Sequence, residues 1–275
     1  LWADGPADSP TLRAAAVDVG PVLAEQLWPA RTAVLTSATI PPGAGARLGL
    51  PAASSRQLEV ASPFDYRANA LLYVPAHLPP PTSAGYEAAM IAELELLVGA
   101  AGGRTLGLFT SWRAMDAAAA ALRDRLPWRL LTQAELAKPA LLAAFRDDET
   151  SCLFATLGFW QGVDIPGPAL SLVTIDRIPF PRPDEPLHQA RRERAGPGAF
   201  TTVDLPRAAT LLAQGAGRLV RSIGDRGVVA VLDSRLATRD YRRELLRLVP
   251  PMRRTVTFSE VESFLGPARL GQTRQ

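Results

Sequence analysis

Lysine is almost absent from this sequence. Lys138 is the single lysine among 275 residues, beside 29 arginines, and Pro139 follows it directly. A phosphate-binding loop of the form G-x-x-x-x-G-K-S/T needs a lysine followed by serine or threonine, so the chain contains no such loop. In nucleoside triphosphatases that loop supplies the lysine and the hydroxyl that hold the phosphates and Mg²⁺. We therefore expect the isolated chain to hydrolyse no ATP.

Cysteine, histidine and long apolar runs are also scarce. The single cysteine, Cys152, excludes an internal disulfide and a cysteine zinc cage. With only His77 and His188 and no G-x-S-x-G sequence, a hydrolase triad has little support. No apolar run approaches the roughly 20 residues that span a membrane, and no signal peptide is visible. We expect a cytoplasmic protein that holds no metal with its own side chains.

The charge of the chain is a weak indication of its partners. Thirty basic residues are nearly balanced by 27 acidic ones, which gives a net charge of +3. Arginines cluster at residues 191–194 and 242–254, and such clusters are typical of nucleic-acid-binding surfaces. The alternative is an ordinary solvated surface in a chain that uses arginine in place of lysine. Both interpretations remain open.

Short apolar segments alternate with helical patterns along the chain. This alternation predicts an α/β fold with a mostly parallel sheet flanked by helices. Thr132 and Glu135 have the spacing of a helix capping box, although Pro139 should disturb the helix that follows. We expect strands at 33–39, 69–74, 104–110, 128–131, 151–156, 170–176 and 228–233, and helices at 82–101, 111–126 and 132–146.

The segment Gln214–Ser222 combines an amide, two arginines and two glycines. At about 100° per residue, Gln214, Arg218 and Arg221 fall on one face of a helix that Asp204 would cap. The opposite face is apolar and consists of Leu205, Leu212, Ala216, Leu219 and Ile223. Each glycine costs roughly 1 kcal/mol in a helix, which favours close approach of a ligand, and arginine forks suit phosphate oxygens. The alternative is a solvated amphipathic helix.

The pattern Gln214-Gly-Ala-Gly-Arg-Leu-Val-Arg221 resembles motif VI of superfamily 2 helicases, and other motifs of that family occur in family order. Thr36-Ser-Ala-Thr39 resembles motif III, Gly107–Trp112 resembles motif IV, and Phe159–Gly167 resembles motif V. The sequences Ser-Pro-Phe-Asp-Tyr at 62–66 and Ile-Pro-Phe-Pro-Arg-Pro at 178–183 are similar to the DinG branch of XPD-like DNA helicases. Together the resemblance covers about residues 14–250.

This resemblance implies the second RecA-like motor domain of an ATP-dependent DNA helicase. Residues 1–65 would be the end of the first motor domain with a linker, and residues 66–275 the carboxy-terminal domain. Because the chain begins at Leu1 and motif III closes the preceding domain in helicases, we expect the carboxy-terminal portion of a longer protein. The first motor domain would hold most of the ATP and Mg²⁺. An iron–sulfur cluster, frequent in this family, would have to lie upstream.

The resemblance also assigns roles to individual residues. Arg218 and Arg221 would act on the phosphates of ATP, and Gly162, Asp164, Gln214 and Gly217 would complete the nucleotide side. Thr36, Ser37 and Thr39 would couple the two motor domains. Single-stranded DNA would contact Thr110, Ser111, Trp112, Thr156 and Trp160, with hydroxyls and a helix N-terminus holding phosphate and the tryptophans stacking on bases. The alternatives are that Ser111 only caps its helix and that the tryptophans are buried in packing.

Two other interpretations of the sequence have to be weighed, one for residues 184–188 and one for the chain as a whole. Asp184-Glu-Pro-Leu-His188 spells a D-E-x-H box, but it follows three prolines and comes after motif III, whereas the metal-binding box of helicases follows an apolar strand and precedes motif III. We therefore do not predict a catalytic role for it. The alternative for the chain as a whole is a non-catalytic nucleic-acid-binding or regulatory module with vestigial helicase motifs.

Overall fold

The structure is a computed structural model that describes residues 1–6, 8–41, 43–159 and 169–266. The chain forms two compact units, each built from two segments. One unit comprises Leu1–Ala61 and Phe180–Thr210, and the other comprises Ser62–Pro179 and the described residues from Leu211 onward.

The secondary structure alternates strands and helices through the second unit. The strands are β1 Trp2–Asp4, β2 Thr11–Arg13, β3 Ala70–Tyr73, β4 Thr105–Phe109, β5 Leu130–Thr132, β6 Cys152–Thr156, β7 Leu172–Ile175, β8 Gly227–Val231 and β9 Arg253–Thr255. The helices are α1 Gly20–Gln26, α2 Ala44–Arg47, α3 Tyr66–Asn69, α4 Tyr86–Ala101, α5 Trp112–Leu122, α6 Lys138–Asp147, α7 Pro186–Ala195, α8 Leu205–Ala216, α9 Arg235–Thr238, α10 Arg242–Leu246 and α11 Phe258–Leu265. Short 3₁₀-helices lie at Leu157–Phe159 and Gly196–Gly198, and Phe200–Asp204 forms a π-helical turn.

A seven-stranded parallel sheet forms the centre of the second unit. Its strand order is β5-β6-β4-β7-β8-β3-β9, and every neighbouring pair is parallel. All residues of the five central strands are buried, which explains why the sequence shows them as short apolar runs and not as alternating patterns. Helices α4, α5 and α11 pack against one face and share a single apolar core with it. The predicted α/β fold with a mostly parallel sheet is confirmed.

The turn between α4 and β4 depends on a run of left-handed residues. Gly102, Gly103 and Arg104 have φ angles of 64°, 76° and 43°. A Cβ atom on Gly103 would lie 1.9 Å from the carbonyl oxygen of Thr150, so only glycine fits there. Arg104 is held in its unusual conformation by two bonds from its guanidinium to the carbonyl of Ala101, at 2.9 and 2.7 Å. The chain can therefore enter β4 directly beside the amino end of β6.

Two predicted elements differ in the structure. Residues 33–39 were expected to be a strand but form neither strand nor helix, and Val34 is 86% exposed. A strand needs a neighbour that completes its ladder, and no described strand pairs with this segment. The helix expected from residue 132 begins only at Lys138, because Pro139 occupies its first turn, where a missing N–H costs nothing.

The first unit has little regular structure. Strands β1 and β2 form an antiparallel pair, and the indole N–H of Trp28 donates to the carbonyl of Leu48 at 2.7 Å. The buried carboxylate of Asp204 is 2.8 Å from Nε2 of His188 and also pairs with Arg192. Burial lowers the pKa of His188.

In the described part of the chain, no helix is long and apolar enough to cross a membrane.

Candidate functional site

The segment Thr110–Trp112 follows the carboxyl end of β4, as the sequence predicts. Ser111 caps α5, because its hydroxyl oxygen accepts a hydrogen bond from the N–H of Ala114 at 3.2 Å. Trp112 is the first residue of the helix and is 50% exposed, so its ring is not consumed by packing. An exposed aromatic ring therefore lies beside a helix N-terminus, where main-chain N–H groups and the helix dipole favour an anion.

Asp176 determines which groups of Thr110 remain available. This aspartate follows β7, is 2% exposed, and accepts both the N–H of Thr110 at 2.9 Å and its hydroxyl at 3.1 Å. Burial raises the pKa of Asp176 to about 6, while the neighbouring Arg177 guanidinium, 3.2 Å away, opposes this rise. Because both Thr110 donors point to Asp176, the hydroxyl presents only lone pairs elsewhere. In this state Thr110 cannot donate to a phosphate.

Further buried polar groups fix the same end of the sheet. The Tyr86 hydroxyl contacts the main-chain carbonyls of Asp176 and Leu232, and the Arg177 guanidinium lies 5.3 Å from the centre of its ring. Asp233, which follows β8, accepts from the N–H of Ile178 at 2.9 Å and from Nη2 of Arg235 at 2.7 Å. Sequence reasoning missed these residues. The available signal was an aspartate at the end of a short apolar run, which occurs at both Asp176 and Asp233.

Thr156 lies at the carboxyl end of β6, but its polar groups are engaged. Its N–H and its hydroxyl both donate to the side-chain oxygen of Gln133, at 2.7 and 3.1 Å, and the residue is only 7% exposed. The structure therefore places Thr156 at the same end of the sheet as Thr110, with its hydroxyl proton directed inward. Trp160, Gly162 and Asp164 lie outside the described residues.

The helix predicted through residues 214–223 is wrong in its second half. Helix α8 ends at Ala216, and the hydrogen bonds tighten to the 3₁₀ pattern, from Arg218 N–H to Gly215 and from Leu219 N–H to Ala216. Ile223, expected on the apolar face, is 80% exposed. Two glycines within three residues weaken the helix enough for it to end there. Asp204 is not its cap, because the preceding π-helical turn Phe200–Asp204 already leads into α8.

Instead, a turn stabilised by Asp225 holds the second arginine. The buried carboxylate of Asp225 accepts from the N–H of Arg221 at 2.7 Å and from the N–H and hydroxyl of Ser222 at 2.8 and 2.7 Å. The side chain of Arg221 is exposed, whereas Gln214 and Arg218 are half-buried. The backbone of Arg221 is thus fixed while its guanidinium reaches the surface.

The arginine turn and the Thr110 segment lie at opposite ends of the sheet. A Cβ atom on Gly227, the first residue of β8, would lie 2.8 Å from the Leu219 side chain. The turn therefore adjoins the amino end of β8, whereas Thr110, Thr156 and Asp176 follow the carboxyl ends of their strands. At about 3.3 Å per residue, five strand residues separate the two ends by roughly 15 Å. Among the described residues of the second unit, the predicted nucleotide-binding arginines and the predicted DNA-binding threonines therefore lie at different ends of the sheet.

The remaining predicted residues have simple surroundings. In the first unit, Thr36 is exposed, and the hydroxyl of Ser37 donates to the carbonyl of Thr39 at 3.0 Å. Asp184 is exposed and pairs with Arg182 at 3.6 Å. Across the described ranges, no group of three or more His, Cys, Asp or Glu side chains is placed to hold a metal ion.

Comparison with known proteins identifies related sequences. Residues 94–252 match a family described as "Helicase C-terminal domain". The "ATP-dependent helicase DinG" of Mycobacterium tuberculosis is 48% identical over 92% of this chain and 40% of its own length. The "ATP-dependent DNA helicase YoaA" of Escherichia coli is 40% identical over 80% of this chain and 35% of its own length. The chain thus spans at most about two fifths of these relatives.

A solved structure supports the fold independently. The structure named "XPD_Helicase" resembles this chain with a TM-score of 0.53 at 18% sequence identity, covering 68% of this chain and 36% of that one. At this identity the likeness concerns the RecA-like architecture alone.

Proposed function

This chain belongs to the helicase carboxy-terminal domains of the DinG and XPD-like type, and on that premise we propose that it is the second motor domain of an ATP-dependent DNA helicase. ATP would bind between this domain and the first motor domain of the same protein. Single-stranded DNA would run across the carboxyl ends of the strands. Closing and opening around ATP would move the domain along the DNA.

On the nucleotide side, Gln214, Arg218 and Arg221 would face the phosphates. The observation that carries this assignment is the exposed Arg221 on a turn whose backbone is fixed by Asp225. A guanidinium that is already positioned can meet the charge that develops on the γ-phosphate, an effect worth roughly 10³–10⁵ in rate in phosphoryl transfer. Gly217, Gly162 and Asp164 would complete this side.

Other parts of the reaction would come from the first motor domain. The described residues have no cluster that fits Mg²⁺, and the only lysine, Lys138, donates to the carbonyl of Gly158 at 3.0 Å. The phosphate-binding lysine, the metal ligands and the residue that activates water would therefore belong to that domain. Thr36, Ser37 and Thr39 would transmit its state to this one.

On the DNA side, the hydrogen bonds of Thr110 limit the possible contacts. Its two donors are committed to Asp176, so phosphate would be held by the Ser111 hydroxyl and the first N–H groups of α5. The exposed ring of Trp112 would stack on a base, which is worth ~1–3 kcal/mol. Thr110 would position this turn, and Thr156 and Trp160 would extend the track.

The test is Arg221→Ala in the full-length protein, with Arg146→Ala as the control. Arg146 is an exposed arginine in the last turn of α6. We expect Arg221→Ala to lower kcat for DNA-stimulated ATP hydrolysis by about 10³-fold with little change in DNA affinity or Tm. Arg221→Lys should rescue poorly, because an ammonium cannot reproduce the planar fork. Arg146→Ala should leave kcat within a few-fold.

Other outcomes identify the alternatives. An unchanged kcat in Arg221→Ala would refute the arginine assignment. Weaker DNA binding with a smaller salt dependence and no separate effect on turnover would favour the non-catalytic nucleic-acid-binding module. The isolated chain should hydrolyse no ATP, and turnover that depends on Arg221 in this chain would contradict its assignment as half of a two-domain site.

A further inference from the structure

An open cleft of about 280 Å³ lies beside β9, the last strand of the sheet. Its lining consists of Arg67, Pro251, Met252, Arg253 and Arg254. The three arginines are exposed, Met252 is buried, and Pro251 supplies an apolar wall. Three exposed arginine residues thus line one small cleft in the second unit.

The backbones that carry these arginines are fixed through β3. Helix α3, which contains Arg67, leads directly into β3, and the Asp65 side chain caps it by accepting from the N–H of Arg67 at 3.1 Å. Strand β9 pairs with β3 so that Arg253 is opposite Leu71. The cations are therefore anchored at neighbouring positions of one sheet and do not depend on a long loop.

A fourth arginine adjoins the cleft. Arg226 immediately precedes β8, and its guanidinium lies 4.3 Å from the centre of the Phe264 ring, while that of Arg253 lies 5.8 Å from the same ring. Two like charges share one aromatic ring and repel each other. A bound anion would neutralise this repulsion. We call Arg67, Arg226, Arg253 and Arg254 the edge arginines.

Among the described residues, the edge arginines lack the acidic partner that several other arginines of the same unit have. Arg113 pairs with Glu87, Arg123 with Glu135 and Arg125 with Glu95. In the described part of the chain, none of the edge arginines forms an ion pair, and the nearby Asp65 uses its carboxylate on main-chain N–H groups. Within the described part of the unit, no ion pair therefore neutralises their positive charge.

We propose that the edge arginines form a second phosphate-binding surface for single-stranded nucleic acid, at the opposite end of the sheet from Ser111 and Trp112. Guanidinium forks bind phosphate oxygens in pairs of hydrogen bonds. The cleft is smaller than the roughly 300–1,000 Å³ of a typical small-molecule pocket, which suits a phosphate and its sugar better than a whole nucleotide. Because the cleft is open, a strand can continue beyond it.

The test compares two double variants of the 275-residue chain that change the net charge equally. Arg253→Gln with Arg254→Gln removes two edge arginines, and Arg146→Gln with Arg129→Gln removes two exposed arginines, one in α6 and one directly before β5. Affinity for a labelled thymidine oligonucleotide is measured over a range of salt. We expect about 10-fold weaker binding from the first variant and a salt slope smaller by about 1.4, since each lost contact contributes about 0.7. The control should keep the slope of the parent.

A second double variant shows whether a loss of binding comes from misfolding. If the β9 variant melts at a lower temperature, Arg67→Gln with Arg226→Gln should show the same loss of affinity and slope. Equal effects of the edge and control variants would overturn the proposal. So would loss of binding to a polyglutamate peptide with unchanged oligonucleotide binding, because the surface would then recognise an acidic protein segment. Ser111→Ala tests the carboxyl end separately, so either proposal can fail alone.

Discussion

The two ends of the parallel sheet use buried aspartates in different ways. At the carboxyl end, Asp176 takes both the main-chain and the side-chain donor of Thr110, so the polar groups there are largely satisfied internally. At the amino end, Asp225 binds the main chain of Arg221 and leaves the guanidinium exposed. At the carboxyl end, the aspartate thus fixes Thr110 and uses up its hydrogen-bond donors. At the amino end, the aspartate fixes only the backbone of an exposed arginine. Aspartate thus positions neighbouring residues at both ends of the sheet, and at the amino end the positioned residue is an exposed arginine.

Among variants of the two buried aspartates, the larger effect on kcat should come from replacing the one at the amino end. Asp225→Ala in the full-length protein removes three hydrogen bonds from the Arg221 turn, so we expect kcat to fall by about 10²-fold, because the arginine loses its fixed position. Ser222→Ala removes only the hydroxyl bond and should lower kcat by a few-fold at most. A fall in Tm with unchanged kcat would show that the turn serves stability alone.

At the carboxyl end, Asp176→Asn should change the pH dependence of stability. The pKa of Asp176 rises on folding from 3.8 to about 6, so its contribution to stability is present below about pH 4 and is lost as the pH rises through 6. Asparagine does not titrate, and the shift corresponds to about 3 kcal/mol. Between pH 4 and pH 7 the free energy of unfolding of the variant should therefore gain about this amount relative to the parent.

Urea titrations of both chains across this range check the prediction. The difference between the variant and the parent removes the contributions of other groups, among them Arg177 and Tyr86, which interact with Asp176, and Asp233 and Arg235, which interact with Tyr86. A difference that is constant with pH would mean that the pKa of Asp176 does not rise on folding.

The smallest expected effect is on oligonucleotide affinity, and it distinguishes stacking of a base on Trp112 from non-specific contact with an exposed apolar side chain. Trp112→Ala should weaken oligonucleotide binding by about 10-fold, the loss of one stacked base, and change the unfolding free energy by less than ~0.5 kcal/mol. Ile223→Ala is the matched control, because it shortens an exposed apolar side chain at the amino end. If both variants bind alike, Trp112 is not part of the DNA contact.

Much of the sheet could be predicted because its strands are short, apolar and bounded by turn residues. Four of the five central strands lie within the predicted ranges, β8 begins one residue before its range, and Ser111 caps its helix as expected. The wrong predictions occur where the local sequence pattern favours a helix or strand but another physical effect prevents it. Glycines end α8 before the pattern does, and residues 33–39 have strand composition without a described partner strand.

The site was harder to predict because its contacts connect distant parts of the chain. Asp176 meets Thr110 across 66 residues, and no spacing rule connects them. The three bonds that the Asp225 carboxylate accepts from Arg221 and Ser222 are local, but the prediction of a continuous helix gave no reason to expect them. By contrast, Trp112 and Ser111 were accessible from the sequence, since a serine after an apolar strand and before a helical pattern marks a helix start.

The position of β8 has a consequence for motion. This strand is buried throughout, pairs with β7 on one side and β3 on the other, and has the arginine turn before it and Asp233 after it. Its amides should exchange with solvent deuterium only when the whole unit unfolds, whereas those of the end strands β5 and β9 can exchange through local opening. The two ends of the sheet are therefore joined by its slowest-opening part, so that the turn at one end can rearrange without loosening the other.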